Sequence, residues 1–282
     1  MLPAISATRR LACLFIAAGC LLAAPLAPLA AQGDLLVAPT RLVLEGGRGG
    51  EVILSNIGTE EAVYRVTLEL RRMTPNGELE PVDESAANDT EKAALAMVRY
   101  APRRVTLPPG EPQAIRVSAR PGPELPDGEY RVHMSLSAVP KVTPVASQTE
   151  AAASGQLSIQ IIPIYGITMP IIIRKGNLHA TAGLAGPKIE QSERGPAFTV
   201  DITREGDESI YGDLLVYLQG GGDPVFAVRG FGVYPEVAAR HSTFAMSEEQ
   251  AAMLRGKPVR IEFREPVDKG GTLLAELDTV LR

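Results

Sequence analysis

The stretch Leu157–Arg174, LSIQIIPIYGITMPIIIR, constrains the fold of this chain more than any other. It is too apolar and too regular for a loop, and its two prolines disfavour a helix. Its alternate residues form an almost unbroken apolar row, which predicts one long β-strand. The opposite face is mixed in its first half and apolar near its end, so we expect the second half to be buried on both sides. The apolar row consists of Leu157, Ile159, Ile161, Pro163, Tyr165, Ile167, Met169, Ile171 and Ile173.

The two prolines in this predicted strand indicate its place in a sheet. Pro163 and Pro170 have no N–H to donate to a ladder, so at least parts of the strand are expected at a sheet edge. A long apolar edge strand ordinarily promotes aggregation. A protein that keeps one either covers it or pairs it with a partner chain. Which of the two applies is the main functional question for this sequence.

Residues 1–31 have the features of a cleaved secretory signal peptide. Two arginines precede an apolar run, which ends at small residues. A retained membrane span is a weaker interpretation, because Pro25 and Pro28 interrupt the run. A lipoprotein signal at Cys20 is a second alternative, disfavoured by the apolar residues that directly follow the cysteine. We therefore predict a periplasmic protein with no membrane span after cleavage.

The composition of the remaining chain excludes several classes of site and partner. Both cysteines, Cys13 and Cys20, precede the predicted cleavage, which rules out disulfides and cysteine-based metal sites in the mature chain. Removing the two arginines of the signal from 28 basic residues leaves 26 against 33 acidic ones, a net charge of −7 that disfavours nucleic acid as a partner. Length allows two domains, and the lack of tryptophan predicts aliphatic cores.

Short alternating segments separated by turn residues run through the whole chain. Residues 32–175 give about seven strands, with a loop and a short helix expected within 81–95. Lys175-Gly176-Asn177 marks the predicted boundary to a second β-rich domain, 176–282. That domain has one small helix at Ser247–Arg255, in which Ser247 and Gln250 have capping-box spacing. The predicted fold class is all-β, with two immunoglobulin-like β-sandwich domains.

The sequence offers little support for an enzyme. The three histidines, His133, His179 and His241, are scattered and lack the spacing of metal ligands, and no G-x-S-x-G is present. His133 lies in an alternating strand pattern, which favours a structural or surface role. Whether carboxylates pair for acid–base work depends on geometry that spacing does not reveal. We predict no catalytic residues, no cofactor and no metal.

Several motifs, in this order and spacing, resemble the periplasmic pilus chaperones of the chaperone-usher pathway. The first domain of that family is similar to VAPTRLVLEGG, EVILSNIG, YAPRRVTLPPGEPQAIRV, LPDGEYRVHMSLSAVP and the isoleucine-rich strand that ends at Arg174. The second domain is similar to DITREGDESIYGDLLVYL. The resemblance covers most of residues 35–282 and is strongest in the first domain. The chain is identified as a divergent member.

The resemblance implies a function for the apolar strand. In this family two immunoglobulin-like domains stand at an angle, and the last strand of the first is lent to an incomplete pilus subunit until an outer-membrane usher takes over. The side chains that would fill the groove of the subunit are Leu157, Ile159, Ile161, Pro163 and Tyr165. The implied partners are fimbrial subunits and the usher, and self-association through the edge strand stays open.

The resemblance also implies a pair of cations that hold the C-terminal carboxylate of the subunit. Arg41 matches the first of them. Alignment on Arg174 places Pro170, not a lysine, at the second. Three alternatives stay open. Another cation such as Lys175 could take this place, the carboxylate could be held in a different way, or the chain could have another client. Pro163 also departs from the pattern of the donor face.

Two other functions compete with the chaperone interpretation. One is a structural or adhesive module of a surface assembly, in which the apolar strand is covered by its own fold. The other, more distant, is a periplasmic hydrolase. A genome in which pilin and usher genes lie beside this one would favour the chaperone.

Overall fold

The computed structural model of the chain describes residues 35–140 and 164–282. All of them belong to one compact unit, Gly33–Arg282. The described residues contain seventeen strands and two α-helices, and they form four sheets. The predicted all-β fold with two β-sandwiches is therefore confirmed.

The first sandwich contains ten strands, more than the seven that alternation predicts. They are β1 (Leu35–Ala38), β2 (Leu42–Glu45), β3 (Gly49–Asn56), β4 (Ala62–Met73), β5 (Leu79–Val82), β6 (Val98–Ala101), β7 (Arg104–Leu107), β8 (Pro112–Ala119), β9 (Gly128–Ala138) and β10 (Gly166–Lys175). One sheet has the order β1-β3-β8-β6, and the other has the order β2-β10-β9-β4-β5 with β7 also on β4. Side chains from both sheets, including Val52, Tyr64, Ile115 and Leu136, form the core between them.

The chain passes from one sheet of this sandwich to the other at Pro39–Arg41. Strand β1 pairs antiparallel with β3, whereas β2 pairs parallel with β10 in the opposite sheet. Pro39 has no N–H for a ladder, so the pairing of β1 stops before it. Arg41 therefore lies in the break between two strands and belongs to neither of them.

Strand β10 is the described part of the apolar stretch, and it differs from the prediction at its start. It begins at Gly166, so Ile164 and Tyr165 belong to no strand. Leu157, Ile159, Ile161 and Pro163 lie outside the described residues. The expected two-sided burial is confirmed: Ile171 and Ile173 lie in the first core, while Ile172 between them packs with the core of the second sandwich.

The second sandwich contains seven strands. They are β11 (Ala180–Ser192), β12 (Gly195–Gly206), β13 (Ile210–Leu218), β14 (Phe226–Val233), β15 (Ala239–Ala245), β16 (Pro258–Arg264) and β17 (Leu273–Val280). Its sheets have the orders β11-β12-β15 and β14-β13-β16-β17. The expectation of a purely aliphatic core is wrong here, because phenylalanine rings cluster at centroid distances of 5.7 Å for Phe198 and Phe226 and 5.4 Å for Phe231 and Phe244.

Both helices are short and begin with a capping box. Helix α1 (Asp89–Met97) lies within the expected loop region and starts at Asn88, whose side chain accepts from the backbone N–H of Glu91. Helix α2 (Glu248–Leu254) confirms the predicted cap, since Ser247 and Gln250 exchange bonds of 3.1 and 3.0 Å. Neither helix is long and apolar enough to cross a bilayer, and this holds for every helix in the described ranges.

The turn between β4 and β5 docks against the second sandwich. The backbone N–H of His241 donates to the carbonyl oxygen of Pro75 at 2.8 Å. The guanidinium of Arg240 stacks on the ring of Phe231 at 3.9 Å and donates to the carbonyl oxygen of Gly232 at 2.8 Å. Gly77 lies against this guanidinium with φ 81°, and a Cβ at this position would overlap it. The turn therefore requires glycine for two reasons, its backbone and its neighbour.

Replacing Gly77 by alanine should weaken this contact. Gly110 is the matched control, because its φ of 75° is nearly the same and a Cβ there meets open space. Gly110→Ala should lower the free energy of unfolding by about 1 kcal/mol, the cost of a left-handed residue. Gly77→Ala should cost about 1–2 kcal/mol more, since Arg240 must give up its stacking and its bond. Equal losses in denaturant melts of the two variants would contradict the docking.

Candidate partner-binding site

Half of strand β10 has an open edge. Among the described residues, β9 pairs with all of β10, whereas β2 pairs only with Ile171–Arg174. The carbonyl oxygen of Tyr165 accepts from Ala138 on the β9 side, and that of Arg174 accepts from Gly46 on the β2 side. Because these directions alternate along a strand, the backbone groups of Gly166 and Thr168 point to the open edge.

Pro170 marks the end of this open edge. It is an even-numbered residue like Gly166 and Thr168, so its nitrogen lies on the side away from β9 and costs no bond to that strand. The next residue, Ile171, is the first that pairs with β2. The prediction that proline confines part of the strand to an edge is confirmed at Pro170. Pro163 lies outside the described residues.

Apolar side chains are exposed just before this edge. Ile164 is 63% exposed and Tyr165 is 57% exposed. Tyr165 has the same parity as Ile167 and Met169, which pack into the first core. The row that fills the core along β10 therefore continues out of the core at Tyr165, next to unpaired backbone groups.

Residues of both sandwiches line a cleft of about 770 Å³, and residues 39–42 at the start of β2 are among them. Strand β2 begins at Leu42, opposite Ile171, so a strand added along Gly166–Pro170 would lie in line with β2. Such an added strand would end at residues 39–41, which come just before β2. The lining includes Arg41, Arg174, Ser209, Tyr211 and Lys269.

Arg41 is a half-buried cation with unused hydrogen-bonding capacity. Its Nη2 donates to Ser209 Oγ at 2.7 Å, and its guanidinium stands 4.6 Å over the ring of Tyr211. Its Nε is buried without a hydrogen-bond partner, and no carboxylate lies within ion-pair distance among the described residues. Burial lowers the pKa of Arg41, and Arg174 lowers this pKa further, while Tyr234 and Glu129 raise it. A carboxylate that entered the cleft could pair with Arg41 and offset the cost of desolvating its charge.

Arg174 has the opposite character, since carboxylates surround it. Its Nε lies 3.3 Å from Glu129 Oε2 and its Nη1 lies 2.8 Å from Glu208 Oε2. Its Nη2 donates to the carbonyl oxygen of Ser209 at 3.2 Å. Burial raises the pKa of Glu208 although Arg174 lowers it. Arg174 thus links the two sandwiches and is not available for a partner.

Of the candidates for a second cation, the structure disfavours Lys175 and adds another lysine. Lys175 Nζ donates to the carbonyl oxygens of Pro123, at 3.1 Å, and Leu125, so it holds the loop before β9 and does not line the cleft. Lys269, on a 3₁₀ turn at Val267–Lys269, does line it. Sequence reasoning missed Lys269, because nothing local to its turn connects it with the motifs of the first domain.

His133 is buried on β9, and neither of its ring nitrogens has a hydrogen-bond partner among the described residues. Burial, with smaller contributions from Arg131 and Arg71, lowers the pKa of His133 to about 3, so the ring is neutral near pH 7. Within the described ranges no three His, Cys, Asp or Glu side chains are grouped to hold a metal ion.

Comparisons with known proteins find similarity only among solved structures, since no family model and no curated protein matches the chain. The similar structures include a class 5 fimbriae chaperone, CfaA, and the periplasmic chaperone SfaE. The class 5 fimbriae chaperone CfaA is 13% identical, with 88% of this chain and 99% of that one covered and a TM-score of 0.40. The CupB2 chaperone of Pseudomonas aeruginosa is 13% identical, with 88% and 100% covered and a TM-score of 0.45.

A third similar structure contains a chaperone together with its pilin. It is the SafA pilin of Salmonella enterica in complex with the SafB chaperone, which is 14% identical, with 88% of this chain and 96% of that one covered and a TM-score of 0.43. Two others contain a chaperone–tip adhesin complex of CFA/I fimbriae biogenesis and a chaperone complex from the archaic chaperone-usher Csu pili of Acinetobacter baumannii. At such identities the likeness concerns the fold alone.

The two arginines of the cleft should respond differently to removal of their charge. Arg174→Met should lower the free energy of unfolding by about 2–3 kcal/mol, because it leaves Glu129 and Glu208 without their cation. Arg41→Met should change it by less than about 1 kcal/mol, because the lost bond to Ser209 is offset by relief of a desolvated charge. Urea melts of both variants measure the difference. A large loss for Arg41→Met would show that Arg41 serves stability.

Proposed function

We propose that the chain is a non-enzymatic periplasmic chaperone that binds fimbrial subunits by lending them an edge strand and delivers them to an outer-membrane usher. One observation carries the proposal: the open edge of β10 ends near Arg41, a half-buried arginine that has no carboxylate partner among the described residues. The proposal includes a signal peptide at 1–31 and domains at 32–175 and 176–282. The exposure of Ile164 and Tyr165 favours a partner over the alternative of a structural or adhesive module whose own fold covers the strand.

Strand addition explains why backbone and side chains are exposed together. A client strand beside Gly166–Pro170 would satisfy the open backbone groups, which supply affinity without regard to sequence. Alternate apolar side chains would enter the groove of the client and supply specificity. Tyr165 is the described member of this row. Leu157, Ile159, Ile161 and Pro163 continue it by sequence and stay predictions.

The neighbouring strand indicates the direction of the client. Strand β2 runs parallel to β10 and occupies the same edge of β10 that the client strand would extend. A parallel client strand would bring its C-terminal carboxylate to Arg41, which can offer two donors to it. An antiparallel strand would bring a positive N-terminus to the same cation. The positive charge of Arg41 therefore favours a parallel client strand. A carboxylate bound at Arg41 would also fix the register, so that each apolar side chain meets its own pocket.

Charges placed in the apolar row should prevent capture of the client. Tyr165→Asp and Ile161→Asp should each cost ~1.5–3 kcal/mol of binding, the burial free energy of such side chains. The measurement is co-purification with each fimbrial subunit of the same genome after co-expression in the periplasm. Val280→Asp is the control, because Val280 is also half exposed, at 50%, but lies on β17.

The thermal midpoints of these variants separate binding from folding. They should stay within a few degrees of the parent, because Tyr165 lies outside the core. Capture that survives both aspartates, or is lost equally in Val280→Asp, would count against donation of this strand. Unfolding of Ile161→Asp would instead place Ile161 in the chain's own core.

Removing the positive charge of Arg41 should weaken the complex with the fimbrial subunit. Arg41→Ala should cost ~1.5–3 kcal/mol of subunit binding, the value of a hydrogen bond to a charged group. Arg41→Lys should recover only part of it, since lysine lacks the planar fork. The exposed Arg48→Ala is the control. Binding by Arg41→Ala that equals the parent, in an assay that Tyr165→Asp disrupts, would show that no carboxylate binds at Arg41.

A further inference from the structure

Ser209 connects three charged side chains at the floor of the cleft. It is buried directly before β13 in the second sandwich. Its Oγ accepts from Arg41 Nη2 at 2.7 Å and donates to Glu129 Oε2 at 2.8 Å. Its backbone N–H donates to the same Glu129 oxygen at 3.0 Å, and its carbonyl oxygen accepts from Arg174 Nη2. Nothing in the sequence motifs singles out this serine.

The chemistry of these groups fixes the direction of each bond. A guanidinium only donates, and a carboxylate that is paired with Arg174 only accepts. The one hydroxyl proton of Ser209 therefore goes to Glu129, and an oxygen lone pair is left for Arg41. The side-chain oxygen of the serine cannot turn without losing one of these two bonds.

The serine holds Arg41 without neutralising it. Arg41 and Glu129 both bond to Ser209 Oγ, at 2.7 and 2.8 Å, and so lie on either side of this oxygen without forming an ion pair with each other. A direct pair would have to be broken before a client carboxylate could bind. A neutral oxygen on one amino group, with the ring of Tyr211 beneath, orients the guanidinium and leaves Nε without a partner.

We infer that Ser209 is a positioning residue for Arg41, which makes the binding of a client carboxylate depend on the contact between the two sandwiches. Arg41 and Glu129 belong to the first sandwich and Ser209 to the second, so a separation of the two would release Arg41 from its orientation. This inference rests on the proposed function, since it assumes that a carboxylate binds at Arg41.

A comparison of two peptides tests this role. The probe is a synthetic peptide that spans the C-terminal strand of a fimbrial subunit that co-purifies with the chain, made as a free acid and as a C-terminal amide. Calorimetry gives the ratio of the two affinities for the full mature chain. Ser209→Ala should lower this ratio by about tenfold, and it should do so through the acid alone. Ser209→Thr, which keeps a hydroxyl, should restore most of the ratio.

The control variant and the parent chain separate the possible failures. Ser242 is an equally buried serine of the same sandwich, whose Oγ bonds only to the carbonyl oxygen of Arg240, so Ser242→Ala should leave the ratio unchanged. A Ser209→Ala variant that binds acid and amide equally more weakly than the parent has a structural defect only, and this overturns the inference. So does an unchanged ratio. A parent chain that does not distinguish acid from amide overturns the carboxylate anchor itself.

Discussion

The buried carboxylate of Glu129 is the group on which the arrangement of the two sandwiches depends. Its side chain is almost inaccessible, and burial of a charge costs several kcal/mol unless partners compensate for it. Arg174 and both donors of Ser209 provide that compensation. All three donors bind Oε2, whereas Oε1 is buried without a hydrogen-bond partner among the described residues. The two donors of Ser209 come from the second sandwich, so this part of the compensation exists only while the sandwiches are in contact.

Arg41 lines the same cleft as Arg174 but has different hydrogen-bonding partners. Arg174 has two carboxylates, whereas Arg41 has a serine, an aromatic face and a buried Nε that has no partner among the described residues. Such a cation lowers stability rather than raising it. Departures of this kind, in which one local rule is broken beside paired charges, are typical of functional sites. The contrast between the two arginines is the physical basis of the proposed anchor.

The edge of β10 shows a second departure of the same kind. Native edge strands are commonly shortened, charged or covered. Here β2 covers the end of β10, and in the part of the chain that the structure describes no strand pairs with the other side of residues 166–170, next to exposed Ile164 and Tyr165. The free edge and the unpaired cation meet at one place, because Pro39 ends β1 and the chain must cross to the opposite sheet before β2 begins. A single strand crossing thus creates both parts of the site.

The sequence by itself determined the all-β class, the edge position of Pro170, the two-sided burial near Ile172 and the cap at Ser247, because alternation, missing N–H groups and capping are local. Only the tertiary structure decided that Arg41 lies in a strand break, that Lys175 is bound to a loop and that Ser209 holds Arg41. It also decided where β11 and β15 lie, because these strands are rich in small or polar residues and lack clear alternation. Each of these depends on contacts between residues far apart in the chain, which local patterns cannot encode.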